Sequence, residues 1–136
     1  MLFITVQPDG SITEHEVESA SEVYPTLKAA CEGWIEPVEY HETLTHYHNE
    51  EFIYAEGEVF QELNFVPSFF GYPGRIYGPV IYTGGVDEEG ETRGLSQASA
   101  AAIRSSAECV RLTLDTLRAL NPALPKPEPR VSVTSW

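Results

Sequence analysis

Basic residues are scarce in this chain of 136 residues: eight lysines and arginines stand against 21 aspartates and glutamates, a formal net charge of −13. The acidic excess lies entirely in residues 1–62, where Lys28 is the one basic residue. A surface of this kind repels nucleic acid and anionic membranes and attracts basic partners. The charge therefore predicts a protein partner, and the alternative is that it serves solubility alone.

Long apolar runs are also missing, so no segment has the length of a membrane span. The opening residues 1–6 carry no basic leader and no cleavage site, which is typical of a first strand and not of a signal peptide. Cys31 and Cys109 form no C-x-x-C pair, and each falls in an apolar helical pattern that predicts a free, buried thiol. These absences predict a cytoplasmic protein.

Catalytic motifs are absent as well. The sequence has no phosphate-binding loop, no nucleophile elbow and no dinucleotide-binding fingerprint. His41-Glu42 begins like a zinc-protease helix, but three residues instead of two separate this pair from His46. We therefore expect a protein that is not an enzyme and that needs no cofactor.

The hydrophobic pattern predicts an α+β fold, a small mixed or antiparallel sheet with one packed helix and a long C-terminal helix. The predicted strands are residues 1–7, 11–17, 34–41, 44–48 and 75–82, and the first packed helix carries an apolar stripe of Val23, Leu27, Cys31 and Trp34. Gly78-Pro79 inside the last strand predicts a sheet edge or a bulge, because proline cannot donate to a β-ladder. A short helix is expected near 66–70, and Phe60, Phe65, Phe69 and Phe70 are expected in the core.

The C-terminal helix is predicted from Ser96, a helix cap, to Leu120. Its narrow apolar seam includes Ile103, Val110, Leu114 and Leu117 and suits one partner helix. Arg104, Arg111 and Arg118 recur every seven residues beside the seam. They are natural counterions for the acidic half, within one chain or across a homodimer. The alternative is a helix that lies on its own sheet.

Residues 34–95 carry a family resemblance. The segments Trp34-Ile35-Glu36-Pro37-Val38-Glu39, Asn49-Glu50-Glu51, Gly78-Pro79-Val80 and Thr83-Gly84-Gly85 resemble the DUF3846 domain family, which occurs in phages and actinobacteria. The resemblance implies a phage-type accessory gene and a small α+β domain over residues 1–95. Residues 96–121 then form an added helix and residues 122–136 a proline-rich tail. No catalytic residues are established for the family.

Three histidines crowd into residues 41–48. If Glu42-Thr43 is a two-residue turn, one face of the resulting hairpin shows Glu39, His41, His46 and His48, a set of ligands compatible with zinc. The alternative is the solvated face of an antiparallel sheet. A metal-binding protein or metal-dependent enzyme is therefore the second hypothesis for function.

The aromatic segment 69–77 predicts a binding surface at Tyr72, Arg75 and Tyr77, since tyrosine and arginine are favoured interface anchors. Core packing is the alternative. Together with the charge and the family resemblance, this predicts a phage-type protein that binds and modulates a host protein in the host cytoplasm, without direct contact to nucleic acid or membrane. A third hypothesis is a DNA mimic that occupies a nucleic-acid-binding site.

Overall fold

A computed structural model describes residues 1–51 and 63–123. The chain begins with the hairpin of β1 (Leu2–Val6) and β2 (Ile12–Glu16), followed by α1 (Ala20–Cys31). A second hairpin, β3 (Ile35–His41) and β4 (Leu44–Asn49), comes next. After the undescribed residues 52–62, which include the predicted core residue Phe60, come four short elements and a long helix. These are β5 (Leu63–Asn64), α2 (Val66–Phe69), β6 (Ile76–Tyr77), β7 (Val80–Thr83) and α3 (Gln97–Leu120).

Five strands form one antiparallel sheet in the order β2-β1-β7-β4-β3. One face packs against α1 through Phe3, Ile81 and Leu27, and the other packs against α3 through Ile4, Tyr82 and Ile103. The α+β class predicted from the sequence is confirmed. None of the helices within residues 1–51 and 63–123 combines the length and hydrophobicity needed to cross a bilayer.

The expectation that Gly78-Pro79 marks a sheet edge or a bulge within one strand of residues 75–82 is wrong, because two strands of different sheets flank it. Gly78 has a positive φ of 80°, so the chain turns there and separates β6, which pairs with β5, from β7. Pro79 precedes the ladder and removes no hydrogen bond from it. As a result β7 lies at the centre of the large sheet, between β1 and β4, and all four of its residues are buried.

Several side chains predicted to be buried are exposed. Trp34 lies beyond the end of α1, because Glu32 adopts a left-handed conformation that stops the helix, and Lys28 lies over its ring. Phe65 and Phe69 flank the single turn of α2 and point outward. Cys109 is exposed on α3, whereas Cys31 is buried as expected.

Gly10 allows the first hairpin to pack against α3. It has a φ of 86°, and a Cβ atom there would lie 2.5 Å from the Ala107 carbonyl oxygen and 2.8 Å from the Arg111 nitrogen. Neither the conformation nor the space suits a larger residue. α3 is therefore part of the domain core through residues 100–110, and a boundary at residue 95 does not separate two packing units.

Candidate functional site

The β3–β4 hairpin carries the histidines, and a bulge in β3 decides which residues of β3 share a face with His46 and His48. Val38 lies opposite His46 and Glu39 opposite Thr45, and the register shifts between Glu39 and His41. The extra residue in the bulge is Tyr40. Because opposite residues share a face, Glu39 lies on the other side of the sheet from His46.

The predicted metal set is therefore not brought together. His46 and His48 are buried beneath the α3 side of the sheet, whereas Glu39 and His41 are exposed. His41 instead closes the turn, where its Nδ1 accepts from the Thr43 N–H at 3.2 Å. In residues 1–51 and 63–123, no three His, Cys, Asp or Glu side chains are arranged to hold a metal ion.

The two buried histidines belong to a chain of side-chain hydrogen bonds, which we call the polar chain. The Tyr40 hydroxyl lies 2.6 Å from His46 Nδ1, and His46 Nε2 lies 2.9 Å from His48 Nδ1. His48 Nε2 lies 3.4 Å from the Glu36 carboxylate, which is at the surface. The polar chain thus runs from the core to the exposed edge of β3.

The Glu36 carboxylate fixes the direction of every hydrogen bond in the polar chain. An ionised carboxylate only accepts, and burial lowers the pKa of His48 and so favours its neutral form; His48 therefore carries its one proton on Nε2 and accepts at Nδ1. His46 then donates from Nε2 and accepts at Nδ1, and Tyr40 donates to it. The ring of Tyr82 stacks on that of Tyr40 at a centroid distance of 6.4 Å, and its buried hydroxyl has no hydrogen-bond partner within the described residues. Both histidines are neutral in this arrangement.

Burial governs the acid–base properties of these groups. Burial, together with a smaller effect of the neighbouring His48 in the same direction, lowers the pKa of His46 to about 3. Burial also lowers the pKa of His48, although the Glu36 carboxylate counteracts part of that effect. The pKa values of Tyr40 and Tyr82 are raised by burial. The histidines and tyrosines of the polar chain are consequently uncharged at neutral pH.

Aromatic rings enclose the polar chain. Tyr82 and Tyr72 contact the His46 ring at centroid distances of 5.8 and 5.9 Å, and Phe70 contacts Tyr82 at 5.5 Å. The roles of Tyr40, Tyr82 and Glu36 are not evident from the sequence. One signal in the sequence does indicate that Tyr82 is buried: the run Val80-Ile81-Tyr82 is apolar on both faces of its strand, as is typical of a strand at the centre of a sheet.

The second feature of this region is an acidic cleft beside the β3–β4 turn. It has a volume of about 520 Å³ between this hairpin and the loop of residues 84–94, and Tyr40 forms part of its wall. Four carboxylates line it and one guanidinium accompanies them: Glu39, Glu42, Asp87, Glu88 and Arg93. Such a cleft is suited to hold cationic side chains.

Close backbone packing fixes the shape of the acidic cleft. The Gly84 N–H donates to the Arg93 carbonyl at 2.8 Å, and the Arg93 N–H donates to the Gly85 carbonyl at 2.8 Å. At the tip of the loop, the Asp87 carboxylate accepts from the N–H groups of Glu89 and Glu91, both at 2.9 Å. The loop is thus held by its own hydrogen bonds, and the exposed carboxylates of Glu39, Glu42 and Glu88 face solvent.

The predicted partner-binding residues have mixed positions. Arg75 is exposed and Tyr77 is half-buried in β6. Tyr72 is half-buried because its ring packs against His46 in the core. Tyr72 therefore also has a structural role, and Arg75 is the residue of the three that is most open to a partner.

The apolar seam of α3 has a buried first part and a more exposed second part. Ile103 and Val110 are buried in the protein's own core, so they are not available to a partner helix in the folded chain. Leu114 packs partly on the core, and Leu117 is 45% exposed. Of the three arginines, Arg104 reaches the acidic half, where it pairs with Glu14 of β2. Arg111 and Arg118 pair within the helix with Glu108 and Asp115.

Comparison with known proteins identifies one relationship. No curated protein and no solved structure matches the chain. The model of the family described as "Domain of unknown function (DUF3846)" matches residues 1–108. The match covers the five-stranded sheet and most of the part of α3 that packs in the core, including Ile103 and Ala107. The chain therefore belongs to the DUF3846 family.

Proposed function

We propose that this protein is a non-enzymatic accessory protein of phage type that binds and modulates a host protein in the host cytoplasm. The observation that carries the proposal is the acidic cleft. Its four carboxylates surround a space large enough for several side chains, and among residues 1–51 and 63–123 Arg93 is the one lysine or arginine in its lining. The partner we infer presents a basic segment.

The polar chain supports this function by fixing the cleft wall. Tyr40 forms part of that wall, and its hydroxyl is bonded to His46 in the core. A preorganised wall lowers the entropy that binding would otherwise cost. In the proposed complex, basic side chains enter between Glu39 and Glu42 on the hairpin and Asp87 and Glu88 on the loop.

Affinity capture from the lysate of a bacterial host, with the full chain as bait, tests the proposal. The informative variant is Glu39→Lys/Glu42→Lys, which reverses two charges in the acidic cleft. The matched control is Glu108→Lys/Asp115→Lys, which makes the same change in net charge on the exposed surface of α3. A protein retained by the wild type and the control, but not by the cleft variant, supports the proposal. Equal retention by all three contradicts it.

A DNA mimic is one form of the same proposal. In that form the captured host protein binds DNA, and its basic DNA-binding surface occupies the acidic cleft. Competition decides between the two forms. Duplex DNA displaces the protein from its partner if the carboxylates imitate phosphates, and it has no effect if the partner's basic segment serves another purpose.

A further inference from the structure

The outer edge of β2 offers backbone hydrogen-bonding groups. The Gln7 N–H donates to the Ser11 carbonyl at 2.9 Å, and the Val17 N–H donates to the Met1 carbonyl at 2.8 Å. Hydrogen-bonded pairs alternate along an antiparallel ladder, so the odd-numbered residues of β2 bond to β1. The N–H and C=O groups of the even-numbered residues Ile12, Glu14 and Glu16 therefore point away from β1, toward the outside of the sheet.

The two edges of the sheet differ in how well they could accept another strand. On β3 the Glu50 N–H donates to the Trp34 carbonyl, which directs the even-numbered residues to β4 and leaves Pro37 facing outward. Proline has no N–H, and the bulge after Glu39 interrupts the edge, two features that block strand addition. β2 has neither, and its five residues keep one unbroken register with β1.

A groove runs beside the β2 edge, between β2 and α1. It has a volume of about 740 Å³. Val17, Pro25, Ala29 and Ala30 form the apolar part of its wall, and Glu16, Ser21, Glu22 and Thr26 form a polar part. His15 of β2 also lines it, and burial lowers the pKa of that imidazole, which favours its neutral form. Alternate side chains of a strand added to β2 would enter this groove.

We propose that the β2 edge and its groove bind an extended segment of a partner protein by strand addition, and that the segment alternates apolar and basic residues. The pattern follows from pairing, because directly opposite residues share a face. A residue opposite His15 faces the groove and α1, which favours an apolar side chain. A residue opposite Glu16 lies on the other face. The Glu16 carboxylate contacts the amino group of Met1 yet remains 71% exposed, which favours a lysine or arginine.

This site is at the opposite edge of the sheet from the acidic cleft, so it does not depend on the function proposed above. Backbone pairing supplies affinity in such complexes, and the alternating side chains supply specificity. The nearby Glu14 is already paired with Arg104 of α3. Both carboxylates have a partner, but the Glu16 side chain is 71% exposed and that of Glu14 is 45% exposed, so Glu16 supplies the acidic selectivity of the edge, with Glu18 next to it.

Amide hydrogen exchange measured by NMR on the full chain tests the proposal. The probe is the capped peptide Lys-Val-Lys-Val-Lys-Val. We expect the peptide to slow exchange at Ile12, Glu14 and Glu16 by about tenfold or more. The amides of Thr13 and His15, which already bond to β1, should change little. No slowing at roughly millimolar peptide contradicts strand addition, as does slowing confined to β3 or the acidic cleft.

Two controls separate backbone pairing from other causes. Methylating alternate peptide nitrogens on the probe removes its donors without altering side chains, and we expect this to abolish the slowing. Glu14→Pro removes one outward N–H group from β2. Glu14→Ala removes the same carboxylate and keeps the N–H group. We expect the peptide to slow amide exchange in the alanine variant and not in the proline variant. If the methylated and unmethylated peptides slow amide exchange equally, the proposal is contradicted. Slowing that appears without peptide as protein concentration rises would identify a second copy as the occupant, which also contradicts it.

Discussion

His46 Nε2 lies 2.9 Å from Nδ1 of His48, and at neutral pH, where the lowered pKa values of both histidines keep the rings uncharged, His46 is the donor. The relationship follows from the Glu36 carboxylate at the surface, which can only accept a hydrogen bond from His48. Each group along the polar chain has its donor or acceptor matched to the next. Buried polar networks that are fully matched in this way specify one arrangement of a core.

Replacing His46 with alanine should strongly destabilise the fold. The change leaves the Tyr40 hydroxyl without its acceptor and His48 without its donor, and it opens a cavity among Tyr72 and Tyr82. We expect a loss of about 2–4 kcal/mol in the free energy of unfolding. Urea denaturation measures it. His41→Ala, at an exposed position of the same hairpin, should stay within about 0.5 kcal/mol of wild type, and an equal effect at both positions would contradict the role assigned to the polar chain.

The stability of the protein should fall as the pH falls below about 6.5, the ordinary pKa of histidine. The pKa of His46 is about 3 in the folded state, so between these values the unfolded chain binds a proton that the folded protein does not. Unfolding is then favoured by about 1.4 kcal/mol per pH unit for this group. His48, whose pKa is also lowered, adds to the loss.

Unfolding curves at a series of pH values test this expectation. The variant His46→Phe removes the titrating group and should show a shallower dependence between pH 6.5 and pH 5, whatever its absolute stability. His41→Gln serves as the control because it removes an exposed histidine. A slope in His46→Phe as steep as that of the wild type would show that another group causes the pH dependence.

Two parts of the fold could be predicted from the sequence because local signals determine them. Pro8-Asp9-Gly10 and its flanking segments predicted β1 and β2 to within one or two residues. Ser96 was predicted to cap the last helix, and its Oγ accepts from the Ser99 N–H at 3.1 Å. Turn residues and helix caps act over three or four positions, so they can be recognised in one stretch of sequence.

The site could not be predicted in the same way, because distant residues decide it. The bulge at Tyr40 shifts the register by one residue, and this shift places Glu39 on the face of the sheet opposite to His46 and His48. The position of His46 in the core depends on β4 pairing with β7, where Tyr82 lies opposite it. Alternation along the hairpin indicated only that His46 and His48 share a face, and that face is buried because the distant Tyr72 and Tyr82 contact the His46 ring.

Gly10→Ala should destabilise the protein more than Gly90→Ala does. Both glycines have a positive φ, 86° and 81°, so alanine costs backbone strain at either position. At Gly10 the added Cβ also meets backbone atoms of Ala107 and Arg111, whereas at Gly90 it meets nothing within 4 Å. We expect the Gly10 variant to lose about 1–3 kcal/mol more in the free energy of unfolding. Equal losses in thermal or urea denaturation would show that the hairpin does not pack closely on α3.

Self-association, if it uses α3, must use its last turns. Leu114 and Leu117 continue the buried stripe beyond the core, whereas Ile103 and Val110 are internal. We therefore predict that Leu117→Asp splits a homodimer and leaves a folded monomer, which sedimentation and a melting curve can show. Ile103→Asp is the contrasting variant and should unfold the chain. A dimer that survives Leu117→Asp would place its interface elsewhere.

The affinity of the captured host protein for the full chain tests the central claim most directly. We expect Glu39→Lys/Glu42→Lys to raise its Kd by about tenfold or more, because two repulsive charges replace two attractive ones in the acidic cleft. Glu108→Lys/Asp115→Lys, with the same change in net charge on α3, should leave the Kd within about twofold of wild type. A Kd that rises equally in both variants would show that net charge alone drives binding. A Kd unchanged in the cleft variant would show that the acidic cleft is not where the partner binds.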